Sequence, residues 1–258
     1  MFSYNPPKPK KYLFDPNSSE KFKLSRTGLE SFTKCPRCFY LDKRCGIAQP
    51  PGFPFTLNSA VDHLLKKEFD IHRAKKTTHP LMAKYGIDAI PLNDTRMSDW
   101  RENFVGVQAL HKPTNLLIFG AVDDIWVDKD KNLMVVDYKA TATERETNME
   151  DEKWGAYFRQ MEIYQWLLRQ NGFSVSDTGY FVYCNGRKDH EAFDGKLEFD
   201  VEIIKHTGQS DWVEKTIVDA KKCLMQDKMP EPAKDCDFCK YREVTRKFEG
   251  KPVQGTLL

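Results

Sequence analysis

The chain has 258 residues, 40% hydrophobic and 12% aromatic, enough to bury a core of ordinary domain size. Charged residues make up 30% but nearly cancel, leaving a net charge of +2, so overall charge cannot serve as a nucleic-acid magnet and any such groove must come from local clustering. No run approaches the roughly 18 apolar residues of a membrane span. The opening twenty residues do not read as a signal peptide, so a cytoplasmic protein without membrane association is expected. Seven cysteines, an odd number in a reducing compartment, read as thiols or metal ligands rather than disulfides.

Residues 1–20 and 249–258 read as loose tails around a single domain over 21–248. Thr27-Gly28-Leu29-Glu30 has capping-box spacing and opens a short helix through Phe32, which runs into Cys35-Pro36-Arg37-Cys38. After a turn-rich stretch at 49–54, Asn58 caps a helix to Lys75, with Val61, Leu64, Leu65, Phe69 and Ile71 as its apolar stripe. Asp62 falls at the edge of that stripe and His63 nearly opposite, while Glu68 and His72, at i, i+4, are placed to pair. Residues 76–115 show little periodicity beyond a strand at 103–110 and carry no functional signal.

Two strands follow, 116–127 and 133–139, joined by the polar turn Asp128-Lys129-Asp130-Lys131-Asn132. A turn centred on Asp130 sets Val127 opposite Leu133, Ile125 opposite Val135 and Asp123 opposite Asp137. Directly opposed Cβ atoms lie about 4.5–5.5 Å apart and like charges there repel, so two carboxylates on an apolar strand pair ask for a cation between them. Asp137 and Lys139 share a face and Tyr138 turns to the other. Two acids with an ammonium beside them suit phosphodiester hydrolysis, oxygen ligands favouring Mg²⁺ or Mn²⁺ over zinc. The competing reading is an exposed hairpin with a surface ion pair worth about 0–1 kcal/mol. Periodicity leaves Asp123 and Asp124 equal, because both faces of the first strand are apolar.

The polar stretch 141–152 reads as a mobile border to a groove. A helix over 153–170 turns Tyr157, Met161, Tyr164 and Leu168 inward, makes neighbours of Gln160 and Tyr164, and ends at Asn171-Gly172. Residues 178–184 read as a buried strand closed by an Asn185-Gly186 turn. The alternation over 196–205 turns Leu197, Phe199, Val201 and Ile203 inward and marks a strand at or near the sheet edge. A last helix over 211–226 buries Ile217, Ala220 and Leu224; Cys184 and Cys223 read as small buried apolar residues. Cys236-Asp237-Phe238-Cys239 then repeats the C-x-x-C spacing of Cys35 and Cys38, and the two pairs offer a tetrahedral S₄ site that ties distant parts of the chain together.

Gly120-Ala121-Val122-Asp123, Val135-Val136-Asp137-Tyr138-Lys139 and Gln160 with Tyr164 together resemble the PD-(D/E)xK nuclease superfamily, and its RecB-like branch in particular. There a G-x-(V/I)-D strand precedes an apolar strand ending in D-x-K, and the next helix carries Q-x-x-x-Y. The resemblance implies an α/β, restriction-endonuclease-like core, a mixed central β-sheet flanked by helices. It selects Asp123 and Asp137 as ligands of Mg²⁺ or Mn²⁺ and Lys139 as the catalytic lysine. Gln160 would bond a phosphate or an active-site group, and Tyr164 would contact nucleic acid. Related nucleases carry a G-x-x-x-H helix whose histidine reaches the metal. An ungapped match puts Asp62 there as a third oxygen ligand, and a slip of one residue puts His63 there instead.

The CRISPR-associated exonucleases and certain helicase–nucleases of this branch hold a [4Fe–4S] cluster with one early cysteine and a late C-x₂-C-x₅-C. Here Thr245 stands at the last of those positions, so the set would be Cys35, Cys38, Cys236 and Cys239, with Cys45 in reserve, around iron–sulfur or zinc. The resemblance as a whole implies a metal-dependent deoxyribonuclease of exonuclease type, acting on single-stranded DNA or duplex ends in repair, recombination or defence. Two rival readings are a catalytically inactive nucleic-acid-binding module stabilised by its Cys₄ site and a phosphohydrolase of small substrates.

Overall fold

A computed structural model describes residues 7–52, 56–144 and 149–249. In chain order the elements are β1 (Phe22–Ser25), α1 (Arg26–Lys34), α2 (Pro36–Cys45), α3 (Thr56–Lys75), α4 (Pro80–Lys84), β2 (Ala89–Pro91), α5 (Met97–Trp100), β3 (Val107–His111), β4 (Leu116–Gly120), β5 (Asp124–Asp128), β6 (Leu133–Thr141), α6 (Glu152–Gln170), β7 (Thr178–Gly186), β8 (Phe199–Thr207), α7 (Asp211–Met225) and α8 (Asp237–Arg246). Five strands form one sheet in the order β2-β5-β6-β7-β8, and three form a second, β1-β4-β3. Neighbours in the larger sheet are antiparallel except β6 and β7, which run parallel. Parallel strands need a crossover, and α6 supplies it. Both sheets are mixed and flanked by helices, the α/β restriction-endonuclease-like arrangement expected.

The period-two pattern of β6 sorts its residues between two cores. Leu133 and Val135 join Ile125, Phe181, Met161 and Leu168 beneath α1, α6 and α7. Met134, Val136 and Tyr138 turn the other way, with Trp126 and Val182, against Leu65 and Phe69 of α3. Each such side chain fully withdrawn from water contributes about 1.5–3 kcal/mol. Asp137 and Lys139 therefore emerge on the α6 face of a strand whose preceding residues are locked in place on both sides.

The hairpin register is as expected: Val127 pairs with Leu133, Ile125 with Val135 and Asp124 with Val136. The single strand expected over 116–127 is instead two strands in different sheets. β4 ends at Gly120, and the chain crosses through Ala121, Val122 and Asp123 before β5 begins. Glycine permits the crossing, since a Cβ on Gly120 would lie 2.6 Å from the Tyr164 ring, and one on Gly106, itself at φ +63°, 2.4 Å from the Gly120 carbonyl oxygen. Val122 N–H donates to the Trp100 carbonyl (3.0 Å) rather than to a ladder.

Other expectations give way to tertiary contacts. α1 is capped by Ser25, which accepts from Gly28 N–H, rather than by Thr27, and Glu30 is drawn off to Arg159. α3 already runs at Thr56, so Asn58 is no cap; its side chain donates to the Ala140 carbonyl (2.8 Å). Leu64 and Ile71 are exposed, and the buried stripe of α3 is Leu65, Phe69 and Arg73. Glu68 bonds His79 (2.8 Å) and His72 turns to Thr77, so the expected Glu68–His72 pair does not form. Asn185 and Gly186 continue β7 instead of turning, and β8, at the sheet edge, starts at Phe199 with Leu197 exposed. The strand expected over 103–110 is β3, displaced toward His111. Residues 8–14 are not loose: Phe14 is buried in the main core and Lys8 N–H donates to the Gly46 carbonyl. The rest of the expected tails (1–6 and 250–258), part of the turn-rich stretch (53–54) and part of the groove border (145–148) lie outside the described residues. Among the described residues no helix is long and apolar enough to cross a membrane.

Candidate active site

At the C-terminal half of β6 the sheet changes from apolar to charged. Asp137 is fully buried, its Oδ1 accepting from Gln160 Nε2 (2.7 Å) and its Oδ2 ion-paired with Lys139 Nζ. Burial, opposed by the Lys139 ammonium and reinforced by the charge of Asp123, pushes the Asp137 carboxyl up to about 6. The Lys139 ammonium loses hydration on burial, but the charges of Asp137 and Asp123 outweigh this and hold its pKa above the ordinary value. Its Nζ lies 4.7 Å from the Tyr157 ring centroid, a cation–π contact that fixes where the charge sits.

Asp123 occupies the crossing just before β5, and its Oδ2 accepts from Tyr138 N–H (2.9 Å), which holds it beside Asp137. Asp62 arrives from α3. Lys66, one turn further along that helix, bridges the two acids at 2.8 Å from Asp62 Oδ2 and 3.3 Å from Asp123 Oδ1. Burial raises the Asp62 pKa, and the charge of Asp123 adds to it. His63 is exposed, so the helix presents Asp62 to the site. Asp124, which periodicity could not separate from Asp123, is fully buried on the other side. It accepts from Arg73 (2.5 Å), from the Tyr138 hydroxyl (2.8 Å) and from Ile125 N–H (2.7 Å), with Arg101 at 3.4 Å. It is a structural acid, and Asp123 alone of the pair faces Asp137 and Lys139.

The acids suit a divalent cation. Asp137 Oδ2 is met by the Lys139 ammonium alone, so the positive charge a cation would bring is already called for at that oxygen. The Lys66 ammonium already stands where positive charge bridges Asp62 and Asp123. A groove of about 460 Å³ opens beside them, lined among others by Asn58, Asp62, Lys139, Tyr157 and Phe199. A family model for the PD-(D/E)XK nuclease superfamily matches residues 57–244, a span that holds every one of these groups.

The chain belongs to the PD-(D/E)XK nuclease superfamily.

Asp137-Tyr138-Lys139, with its D-x-K spacing, lies inside the matched span. No curated protein matches the chain. Among solved structures it is similar to one titled "Crystal structure of SSO0001", at 14% identity over 88% of this chain and 87% of that one, with a TM-score of 0.36.

Gln160 and Tyr164 do meet the site, from α6, but in different ways. Gln160 orients Asp137 and also reaches the Tyr164 hydroxyl (3.4 Å). Tyr164 is only 3% exposed, so its ring packs on Gly120 underneath the site and is not available to a strand of nucleic acid, contrary to the expectation for it. Burial raises its pKa, although Arg26, which hydrogen-bonds it, works the other way. Arg26, Lys66 and Arg101 went unmarked in the sequence. Lys66 had a signal, its i, i+4 spacing from Asp62. Arg26 and Arg101 had none, because they reach the site only through the fold; Arg101 donates to the Asp123 carbonyl (2.9 Å) and to both oxygens of Asp70.

The four cysteines form a separate site. Cys35, Cys38, Cys236 and Cys239 are buried together, their sulfurs all within 4.8 Å of one another. Cys45 packs instead against the main core, and Thr245 bonds the Arg242 carbonyl; neither joins the set. Burial raises the Cys35 thiol, but N–H donors of Ala233 and Cys38 outweigh it and bring it down to about 7. Among the described residues this is the one group of three or more ligating side chains already gathered to that spacing.

Proposed function

We propose that this superfamily member is a Mg²⁺-dependent deoxyribonuclease of the RecB-like branch, of exonuclease type, acting on single-stranded DNA or duplex ends in repair, recombination or defence. The observation that carries the reading is the convergence of Asp123, Asp137 and Lys139 beside a groove lined by Lys139 and Asp62, while the neighbouring Asp124 is withdrawn into structure. Asp62, Asp123 and Asp137 would hold the ion, Mn²⁺ serving in place of Mg²⁺. When bound, such an ion neutralises charge on the scissile phosphate and lowers the pKa of water.

The side chains do the rest. Lys139, fixed between Asp137 and the Tyr157 ring, orients the attacking water and offsets charge that develops on the phosphoryl oxygens. Gln160 holds the Asp137 carboxylate in one rotamer, so that its second oxygen stays aimed at the site. Tyr164 supports Gln160 from below. The groove falls within the ordinary range of small-ligand pockets, about 300–1,000 Å³, and its Tyr157 and Phe199 offer faces for a base to stack on.

Incubation with end-labelled single- and double-stranded DNA, in Mg²⁺, Mn²⁺ or EDTA, tests the reading. Metal-dependent release of mononucleotides or short products, abolished in Asp137→Ala and Lys139→Ala with DNA binding retained, is the expected result. Binding without turnover in any metal would instead mark an inactive binding module, and turnover of small phosphate esters alone would mark a phosphohydrolase.

A further inference from the structure

The relatives that the sequence resembles suggest an iron–sulfur cluster at the cysteines, and the spacing of the sulfurs argues against it. Cys38 Sγ lies 3.5 Å from Cys236 Sγ and 3.6 Å from Cys239 Sγ, and Cys35 Sγ lies 3.9 Å from Cys239 Sγ. Four thiolates about 2.3 Å from one ion in tetrahedral array stand about 3.8 Å apart, close to these three distances, and all four sulfurs lie within 4.8 Å of one another. In a cubane each thiolate binds a different iron at its own corner, so every sulfur–sulfur distance is lengthened by the separation between irons. These four cysteines are too close for that. They are also too far apart for disulfides, whose sulfurs lie about 2.05 Å apart.

We propose that Cys35, Cys38, Cys236 and Cys239 bind a single, tetrahedrally coordinated zinc ion with a structural role. The backbone is built for such a site twice over. Cys35 is the N-cap of α2 and Cys236 the N-cap of α8, and the second cysteine of each pair lies in the first turn of its helix. In each, the residue after the second cysteine donates its N–H to the first cysteine's carbonyl: Phe39 to Cys35 (3.1 Å) and Lys240 to Cys236 (3.0 Å). Two helix N-termini thus face a group that carries net negative charge once four thiolates share one divalent ion. Ala233 N–H points at Cys35 Sγ (3.4 Å). Apart from Ala233 at its edge, the buried cluster consists of the four cysteines alone, a composition that ligation explains and apolar packing does not.

The role is a clasp. α2 already reaches the late segment through Arg37 Nε to the Pro230 carbonyl (2.9 Å) and the Tyr40 hydroxyl to the Gln226 carbonyl (2.9 Å). α8 buries only Cys239 against the rest of the protein, while its large apolar side chains Phe238, Tyr241 and Val244 are left exposed and do not pack it down.

Metal analysis of the full chain, expressed with iron and zinc both supplied and purified anaerobically without metal-affinity steps, tests this. The expected result is about one zinc per chain with neither iron nor acid-labile sulfide and no visible colour. Titration of the native protein with an organomercurial should release that zinc as the cluster thiols react. Exchange for Co²⁺ should give the intense visible bands of a tetrahedral tetrathiolate site. Cys38→Ser should lose the zinc, and if that variant is insoluble the mercurial release on the unaltered protein still decides. Asp137→Ala should keep it, which separates this site from the nuclease reading. Iron in any form, or a folded protein free of metal, overturns the assignment.

Discussion

The two candidate metal sites of this nuclease-family chain are prepared in opposite ways. At the cysteines, four sulfurs are already gathered to within 4.8 Å, at the starts of two helices. At the aspartates, like charges are held short of such a gathering, and two ammonium groups stand among them, Lys66 between Asp62 and Asp123 and Lys139 against Asp137. The contrast is chemical. A structural site gains by closing completely around its ion, whereas a catalytic one must keep an open position and tolerate the ion's exchange. Lysines can stand in for the cation at the acids because their positive charge offsets the mutual repulsion of the carboxylates.

That contrast can be broken in four places, with effects of decreasing size. Asp124→Ala should cost about 3–5 kcal/mol of stability, because it leaves the guanidinium groups of Arg73 and Arg101 with one carboxylate, Asp70, between them and removes the acceptor of the Tyr138 hydroxyl. Denaturant unfolding would read it, and a loss below 1 kcal/mol would show that Asp124 is not the frame on which Asp123 is hung. Lys139→Ala should slow cleavage by about 10²–10³-fold with zinc content unchanged. Single-turnover rates would expose a wrong assignment if the loss stayed within a few fold.

The third concerns pH. With Asp137 raised to about 6 when no ion is bound, cleavage at subsaturating Mg²⁺ should be full above that pH and fall about tenfold per unit below it, as the proton competes with the ion for the carboxyl. Stability takes the opposite sign. The folded carboxyl keeps a proton that the unfolded one has released, so its charged, buried form is a cost present above about 6 and absent below the ordinary value of 3.8. Activity should therefore drop in the window just below pH 6 without a parallel fall in melting temperature; a coincident fall of both would point to unfolding instead. Last, Lys66→Met should tighten Mn²⁺ binding by up to about fivefold, since a bridge between partly exposed groups is worth about 0–1 kcal/mol. Titration calorimetry showing weaker binding would make Lys66 a partner of the ion rather than its rival.

Much of this was legible in the chain. The Asp130-centred turn fixed the register of β5 and β6, and alternation alone put Asp137 and Lys139 on one face with Tyr138 on the other. The spacing of two C-x-x-C pairs foretold the cysteine cluster. What failed did so where distant residues intervene. An apolar run cannot say that it changes sheets at Gly120, because the reason is the ring of Tyr164 pressed against it. Apolar periodicity in α3 counted Leu64 and Ile71 as buried and overlooked Arg73, whose burial is stabilised by Asp124, brought near only by the fold. Tyr164 resembled a nucleic-acid contact by pattern and lies beneath the site by packing.

The position of the cysteines in the chain sets an order of events during synthesis. Cys236 follows Cys38 by 198 residues, so the early pair must wait on the ribosome while both sheets and α6 are made. The clasp can therefore close only after the strands and helices it ties together have been made, which casts it as a seal on the molecule rather than a seed for it.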